Sequence, residues 1–207
     1  MKKILSILLG SLLVLISVNA FALPTLSGDY EWNNADYWTL TDLTTGTQGT
    51  SNFQLVLEEA TWQSDFGLYS VDNISNPSTV QNYFQVFDAT EDPSNDLVNP
   101  TERNVYFNYN NGQWLVDLNN DWGDSSNQVL DNNFGFWFET NPQDDDPFSN
   151  TGDPDNNYTW HTDTKFNSLE TDADHEHILT AYSPNLTKVQ VYLDDQPSSF
   201  ADEDYRQ

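Results

Sequence analysis

The side chains best equipped for chemistry in this chain are its carboxylates. Near the C-terminus Asp194-Asp195 closes an alternating segment, and Asp202-Glu203-Asp204 follows seven residues further on. Alternate carboxylates on an irregular loop can converge on one hard cation, because Ca²⁺ takes about six to eight oxygen ligands in flexible geometry. The competing reading is a solvated acidic tail. Asp117-Leu118-Asn119-Asn120-Asp121 and Asp153-Pro154-Asp155-Asn156-Asn157 also space oxygen ligands at alternate positions. Both fail as EF-hand loops: the sixth position needs Gly and holds Trp122 or Tyr158, and the twelfth needs Glu and holds Gln128 or Thr164. Asx turns explain both better.

Asp174-His175-Glu176-His177 invites a zinc reading, since on a strand His175 and His177 project from one face. The spacing is not the helical turn that a metalloprotease requires, and only His161 is left to complete a site. Hydrogen-bonded polar strand residues are the plainer expectation. A glycoside hydrolase would need one protonated and one ionised carboxylate, and no pair stands out. Serine-nucleophile and phosphate-cradling glycine motifs are absent. Seven tryptophans could supply a sugar-stacking face, although Trp114 and Trp137 fall in strand-like segments and read equally as core.

These side chains belong to a chain that reads as exported. Met1-Lys2-Lys3, the apolar run Ile4 to Val18 and Ala20-Phe21-Ala22 form the charged, apolar and cleavage regions of a signal peptide over residues 1–22. The apolar run is shorter than the ~20 residues a bilayer span needs, so no membrane insertion is expected after cleavage. Residues 23–207 then form one domain with four basic residues against 33 acidic ones, a formal charge of −29. Such a surface repels nucleic acid and anionic lipid. It suits an extracellular or periplasmic setting in a Gram-negative bacterium, where Ca²⁺ could neutralise carboxylate clusters and where extracellular polysaccharide or surface proteins are the available partners. With no cysteine there are neither disulfides nor thiolate sites, so a hydrophobic core must carry stability, and 14% aromatic residues make that feasible.

The elements that must position these groups are strands. Short alternating segments at Phe53 to Glu59, Phe66 to Val71, Tyr83 to Phe87, Phe134 to Glu139 and Lys188 to Leu193 are separated by Asn, Asp, Ser, Gly and Pro clusters, with no sustained helical period. A hairpin is expected over Asn104 to Leu118, turning at Asn111-Gly112. Polar connections are expected at Asn73 to Pro77, Asp88 to Pro100, Asp117 to Asp131 and Asn141 to Asn157. The expected fold class is all-β: a single antiparallel β-sandwich of jelly-roll type.

Over residues 60–207 the order of short motifs resembles a known series. It comprises Asp65-Phe66-Gly67-Leu68-Tyr69, Phe134-Gly135-Phe136-Trp137-Phe138, His161-Thr162-Asp163-Thr164 with Asn167, Asp174-His175, Ala181-Tyr182, and Asp194-Asp195 with Asp202-Glu203-Asp204-Tyr205. The series is that of the family catalogued as domain of unknown function 4114, a β-rich module of secreted and surface-anchored bacterial proteins. The resemblance implies an extracellular, non-enzymatic domain with a calcium site. In it Asp202 and Asp204 supply the first acids, Asp194 or Asp195 the upstream acid, and Asp174-His175 the pair on a neighbouring strand. After Asp204-Tyr205 this chain reads Arg206-Gln207, where the family continues with further acids, a strand and a Pro-Glu-Pro sorting signal; by that comparison it is expected to be a shortened member. The expected role is structural or adhesive, at the cell surface or in the extracellular matrix, with carbohydrate recognition by exposed Trp and Tyr as the alternative and a carboxylate-dependent hydrolase as the third.

Overall fold

The computed structural model describes residues 28–55, 63–87, 101–122, 128–141, 158–167, 176–185 and 187–194. They contain twelve strands and one turn of 3-10 helix: β1 (Glu31–Trp32), β2 (Trp38–Thr39), β3 (Gln48–Leu55), β4 (Gln63–Val71), β5 (Val80–Phe87), β6 (Thr101–Asn110), β7 (Gln113–Asp117), β8 (Gln128–Leu130), β9 (Asn133–Asn141), β10 (Tyr158–His161), the 3-10 turn Thr164–Phe166, β11 (Ile178–Tyr182) and β12 (Val189–Leu193). Every pairing is antiparallel. One sheet runs β10-β9-β4-β5 with β2 also on β9, a second runs β3-β6-β7-β8, and a third runs β1-β11-β12.

The first two sheets share one core, as an all-β sandwich requires. Leu68, Phe84, Phe136, Phe138 and Trp160 come from the first sheet, and Val105, Phe107, Trp114, Val116 and Leu130 from the second. Ile178 of the third sheet joins the same cluster. Alternation decides which side chains reach it: on β9, Phe134, Phe136 and Phe138 face the core while Gly135 and Trp137 face away. The expected hairpin is present. Asn110 pairs with Gln113 and Phe107 with Val116, and the turn residues Asn111 and Gly112 both have positive φ (52° and 89°), the primed turn that suits strand twist. The expected Asn73 to Pro77 connection is pinned by Asp72, whose carboxylate accepts from the Ser78 N–H and hydroxyl and from the Thr79 N–H. These bonds hold its pKa down at about 2.

Two expectations need correction. The stretch Asp117 to Asp131 is not wholly a connection, because Gln128–Leu130 pairs with β7 and buries Leu130; a three-residue strand is too short to show alternation. The strand expected from Phe53 begins earlier, at Gln48, where both faces are polar and no apolar period marks it. Leu57 and Glu59 lie outside the described residues, as do the expected connections 88–100 and 142–157 and the signal peptide, residues 1–22.

A second, smaller core sits on the outer face of the first sheet, where β4 and β9 exchange side chains across the strand pair. Gly67 pairs with Trp137, and Tyr69 pairs with Gly135. Each aromatic ring takes the space its partner glycine vacates. A Cβ on Gly135 would lie 2.5 Å from the Tyr69 ring and 2.5 Å from the Thr162 hydroxyl. A Cβ on Gly67 would lie 2.8 Å from the Trp137 indole nitrogen and would collide with the Phe84 carbonyl of β5. That indole N–H donates to the Leu68 carbonyl at 3.0 Å. Gly67→Ala is therefore expected to cost about 3 kcal/mol, because backbone must move. Gly112→Ala, with open space around it, is expected to cost about 1 kcal/mol for its positive φ alone. Urea melts of the two variants check the ranking.

Candidate functional site

Of the six residues expected to hold calcium, the structure describes Asp194; Asp174, His175, Asp195, Asp202 and Asp204 lie outside the described residues. Asp194 follows β12 and is buried, its backbone N–H donating to the His177 carbonyl at 2.9 Å. His177 Nδ1 returns a bond to the Asp194 carbonyl at 3.0 Å. Among the described residues no group of three or more His, Asp or Glu side chains is placed to hold a metal ion. The zinc alternative is answered more directly. His177 precedes β11 rather than lying in a strand, and it stacks on Trp160 at 3.7 Å between ring centroids. Trp160 faces the main core while His161 faces the outer side of the same sheet. His161 and His177 thus lie on opposite faces of the sheet and do not converge.

The motif His161-Thr162-Asp163 with Asn167 does structural work on that outer face. Thr162 Oγ1 donates to the Asp36 carbonyl at 2.7 Å and accepts from the Phe136 N–H at 3.2 Å, which ties the N-terminal segment to β9. The Tyr37 hydroxyl donates to Asp163 Oδ2 at 2.6 Å, and the Tyr69 hydroxyl accepts from the Asp163 N–H at 3.2 Å. Burial pushes the Tyr69 phenol up to about 12 and, together with its bond to Asp163, raises the Tyr37 phenol further still. Asn167 Oδ1 accepts from the His161 N–H at 2.9 Å. Lys165 donates to the Pro77 carbonyl and lies 3.6 Å from Asp163. Asp36 is raised by partial burial first, then by its neighbours Asp163 and Glu176. Asp163 is committed there to Tyr37 and Lys165.

His161 is the buried titratable group of the cluster. The Tyr83 hydroxyl lies 2.9 Å from its Nε2, and Tyr69 meets its ring edge-on at 4.8 Å. Burial holds its pKa down at about 4, with the Phe166 carbonyl pulling the other way.

The second sheet presents a different surface. Phe53 and Leu55 of β3 reach the core, so Gln48, Thr50, Asn52 and Gln54 face outward. Beside them on β6 stand Glu102, Asn104, Tyr106 and Asn108. Amides pair across the strands: Asn52 donates to Asn104 at 3.2 Å, and Gln54 donates to Glu102 at 2.9 Å. Sequence reasoning passed over these residues because polar side chains in a strand carry no apolar period; the signal was the run of alternate Gln, Thr, Asn and Gln. At one end of this face, Gln48, Gly49, Thr50, Tyr106, Phe107, Asn120 and Trp122 line an open groove of about 310 Å³. The loop that carries Asn120 and Trp122 is held by buried Asp117, whose Oδ2 accepts the Asp121 N–H at 2.8 Å. Asn120 takes a left-handed φ of 56°, which asparagine tolerates better than most residues. The Asp117 bond to Asp121 spans four residues rather than the two of the expected Asx turn. Trp114, Trp137 and Trp160 are buried, and Trp32, Trp38 and Trp122 are half-buried.

No family model, curated protein or solved structure matches this chain. Among the described residues no helix is long and apolar enough to cross a membrane.

The pH dependence of stability follows from His161. Free imidazole ionises near 6.5, so between pH 6.5 and about 4 the unfolded chain binds a proton that the folded chain excludes. The stabilisation is complete above pH 6.5 and is lost as pH falls to 4, a change of roughly 3 kcal/mol. The stability gap between wild type and His161→Gln should therefore narrow by up to that amount from pH 7 to pH 4 in urea melts. A constant gap would rule the linkage out.

Proposed function

We propose that this chain is an exported, non-enzymatic β-sandwich module that works at the cell surface or in the extracellular matrix by presenting a sheet face to a partner. The observation that carries this reading is the outer face of the second sheet. On a chain of formal charge −27, the β3–β6 part of that face is built from Gln, Asn, Thr and Tyr side chains, with Glu102 its exposed acid, while β7 and β8 add Leu115, buried Asp117 and Val129. Neutral amides and hydroxyls on a flat sheet suit contact with an extended surface, where a charged face would repel anionic matrix. The resemblance to domain of unknown function 4114, the signal-like residues 1–22 and the acidity of the chain support the same setting. Mature domain added to cells of the producing bacterium should sediment with the cells and their matrix. Thr50→Glu with Asn52→Glu, both exposed on β3, should leave most of it in solution. Wild-type protein that remains in the supernatant would overturn the reading.

Calcium fits this role as a stabiliser. The oxygen-rich set Asp174, Asp194, Asp195, Asp202 and Asp204 suits a hard cation, and His175 is its one softer member. Asp194 would anchor the ion to the end of β12, where the residue is already buried and its backbone carbonyl meets His177 Nδ1. A bound ion would tie the acidic C-terminal residues to the third sheet and offset carboxylate repulsion. Millimolar Ca²⁺ should raise the melting midpoint of the mature domain by several degrees, and Asp194→Asn should reduce that rise. An unchanged wild-type midpoint would remove calcium from the proposal.

A further inference from the structure

We propose that the groove at the end of the second sheet is a binding site for an uncharged polysaccharide, an inference that rests on the surface-module reading and names its ligand class. The groove joins two kinds of surface that a sugar ring needs. Tyr106 and Trp122 are half-buried and both line the groove. Aromatic faces take the apolar C–H side of a pyranose. Gln48, Thr50 and Asn120 are exposed around them. Carboxamides and hydroxyls each donate and accept, which matches the donor and acceptor pair on every sugar hydroxyl. Among the described residues no acidic or basic side chain lines the groove, which favours a neutral ligand, and the field of the acidic chain repels an anionic one. Its volume of about 310 Å³ lies within the span of small-ligand sites.

The groove is also a built site. Trp122 lies on a loop, and the loop's position is set by the buried Asp117 carboxylate and the left-handed backbone at Asn120. Asp117 is thus a positioning residue for the ligand face. Beyond the groove, the row through Asn52–Asn104 to Gln54–Glu102 continues the same hydrogen-bonding surface along the strands. An extended chain entering at Tyr106 and Trp122 would find amide partners along its length. A peptide would instead pair with the backbone of β3, an edge strand, and would have no need of the Trp122 ring.

Native affinity gels test this with the mature full-length domain and soluble hydroxyethylcellulose, galactomannan, arabinoxylan and dextran, with alginate as the anionic control. At least one neutral polymer should retard the wild type, and alginate should not. Trp122→Ala should weaken that retardation about tenfold or more with the melting midpoint little changed, since its side chain lies outside the core cluster. Tyr106→Phe should retain most of it, and Asn120→Ala should weaken it without unfolding the sheet. A wild type unaffected by every neutral polymer, or a Trp122→Ala variant retarded as strongly as wild type, overturns the proposal. If the domain still sediments with cells in either case, the surface-module reading stands and the polysaccharide assignment alone falls. Sedimentation that also fails removes both.

Discussion

The exchange of rings for glycines between β4 and β9 is the constraint on which the rest of the first sheet depends. On the outward face of this strand pair each aromatic ring stands opposite a residue with no side chain and occupies the space it leaves. Trp137 lies over Gly67, and Tyr69 lies over Gly135. Once the rings lie flat across the pair, their polar ends become anchors. The Trp137 indole closes on the Leu68 carbonyl, and the Tyr69 hydroxyl receives the Asp163 N–H. A slip of one residue would move every one of these groups to the core face, so the pairing also fixes register for the phenylalanines that fill the main core.

The same cluster explains how a chain without disulfides holds its irregular segments. The N-terminal segment is attached through the Asp36 carbonyl and the Tyr37 hydroxyl, and the 3-10 turn through Phe166, Lys165 and Asn167. Each attachment ends on Thr162, Asp163, His161 or a neighbour. Buried polar groups of this kind stabilise only when their partners are in place, so the cluster acts as a unit. His161 is the member whose protonation would break that balance, because its charged form has no compensating acid in contact within the cluster as described.

The two sandwich sheets divide labour. The first commits the β4–β9 part of its outer face to holding the chain together, while the second leaves the β3–β6 part of its outer face exposed and mostly uncharged. Strand alternation makes this possible: the same β3 and β6 that send Phe53, Val105 and Phe107 inward display Asn52, Asn104 and Tyr106 outward. The proposed polysaccharide site thus uses a face that stability does not require. The proposed calcium site would act at the end of β12, in the third sheet.

The sequence by itself determined the fold class, the Asn111-Gly112 hairpin and most of the core strands, because period-two alternation and turn chemistry are local properties of neighbouring residues. Gly67, Gly135 and His161-Thr162-Asp163 entered the sequence reading only as members of the family-like motif series, without their purpose. What those residues do was decided only in three dimensions, since Gly135 is explained by Tyr69 and Thr162, residues far from it in the chain. The histidines could not be sorted from sequence either: the pleat sends Trp160 and His161 to opposite faces of the sheet, and His177 stacks on Trp160, on the side away from His161. The groove was the least legible feature of all. Its strand begins in polar residues that have no apolar partner to set a rhythm, and its tryptophan sits on a loop whose position is fixed by one buried carboxylate.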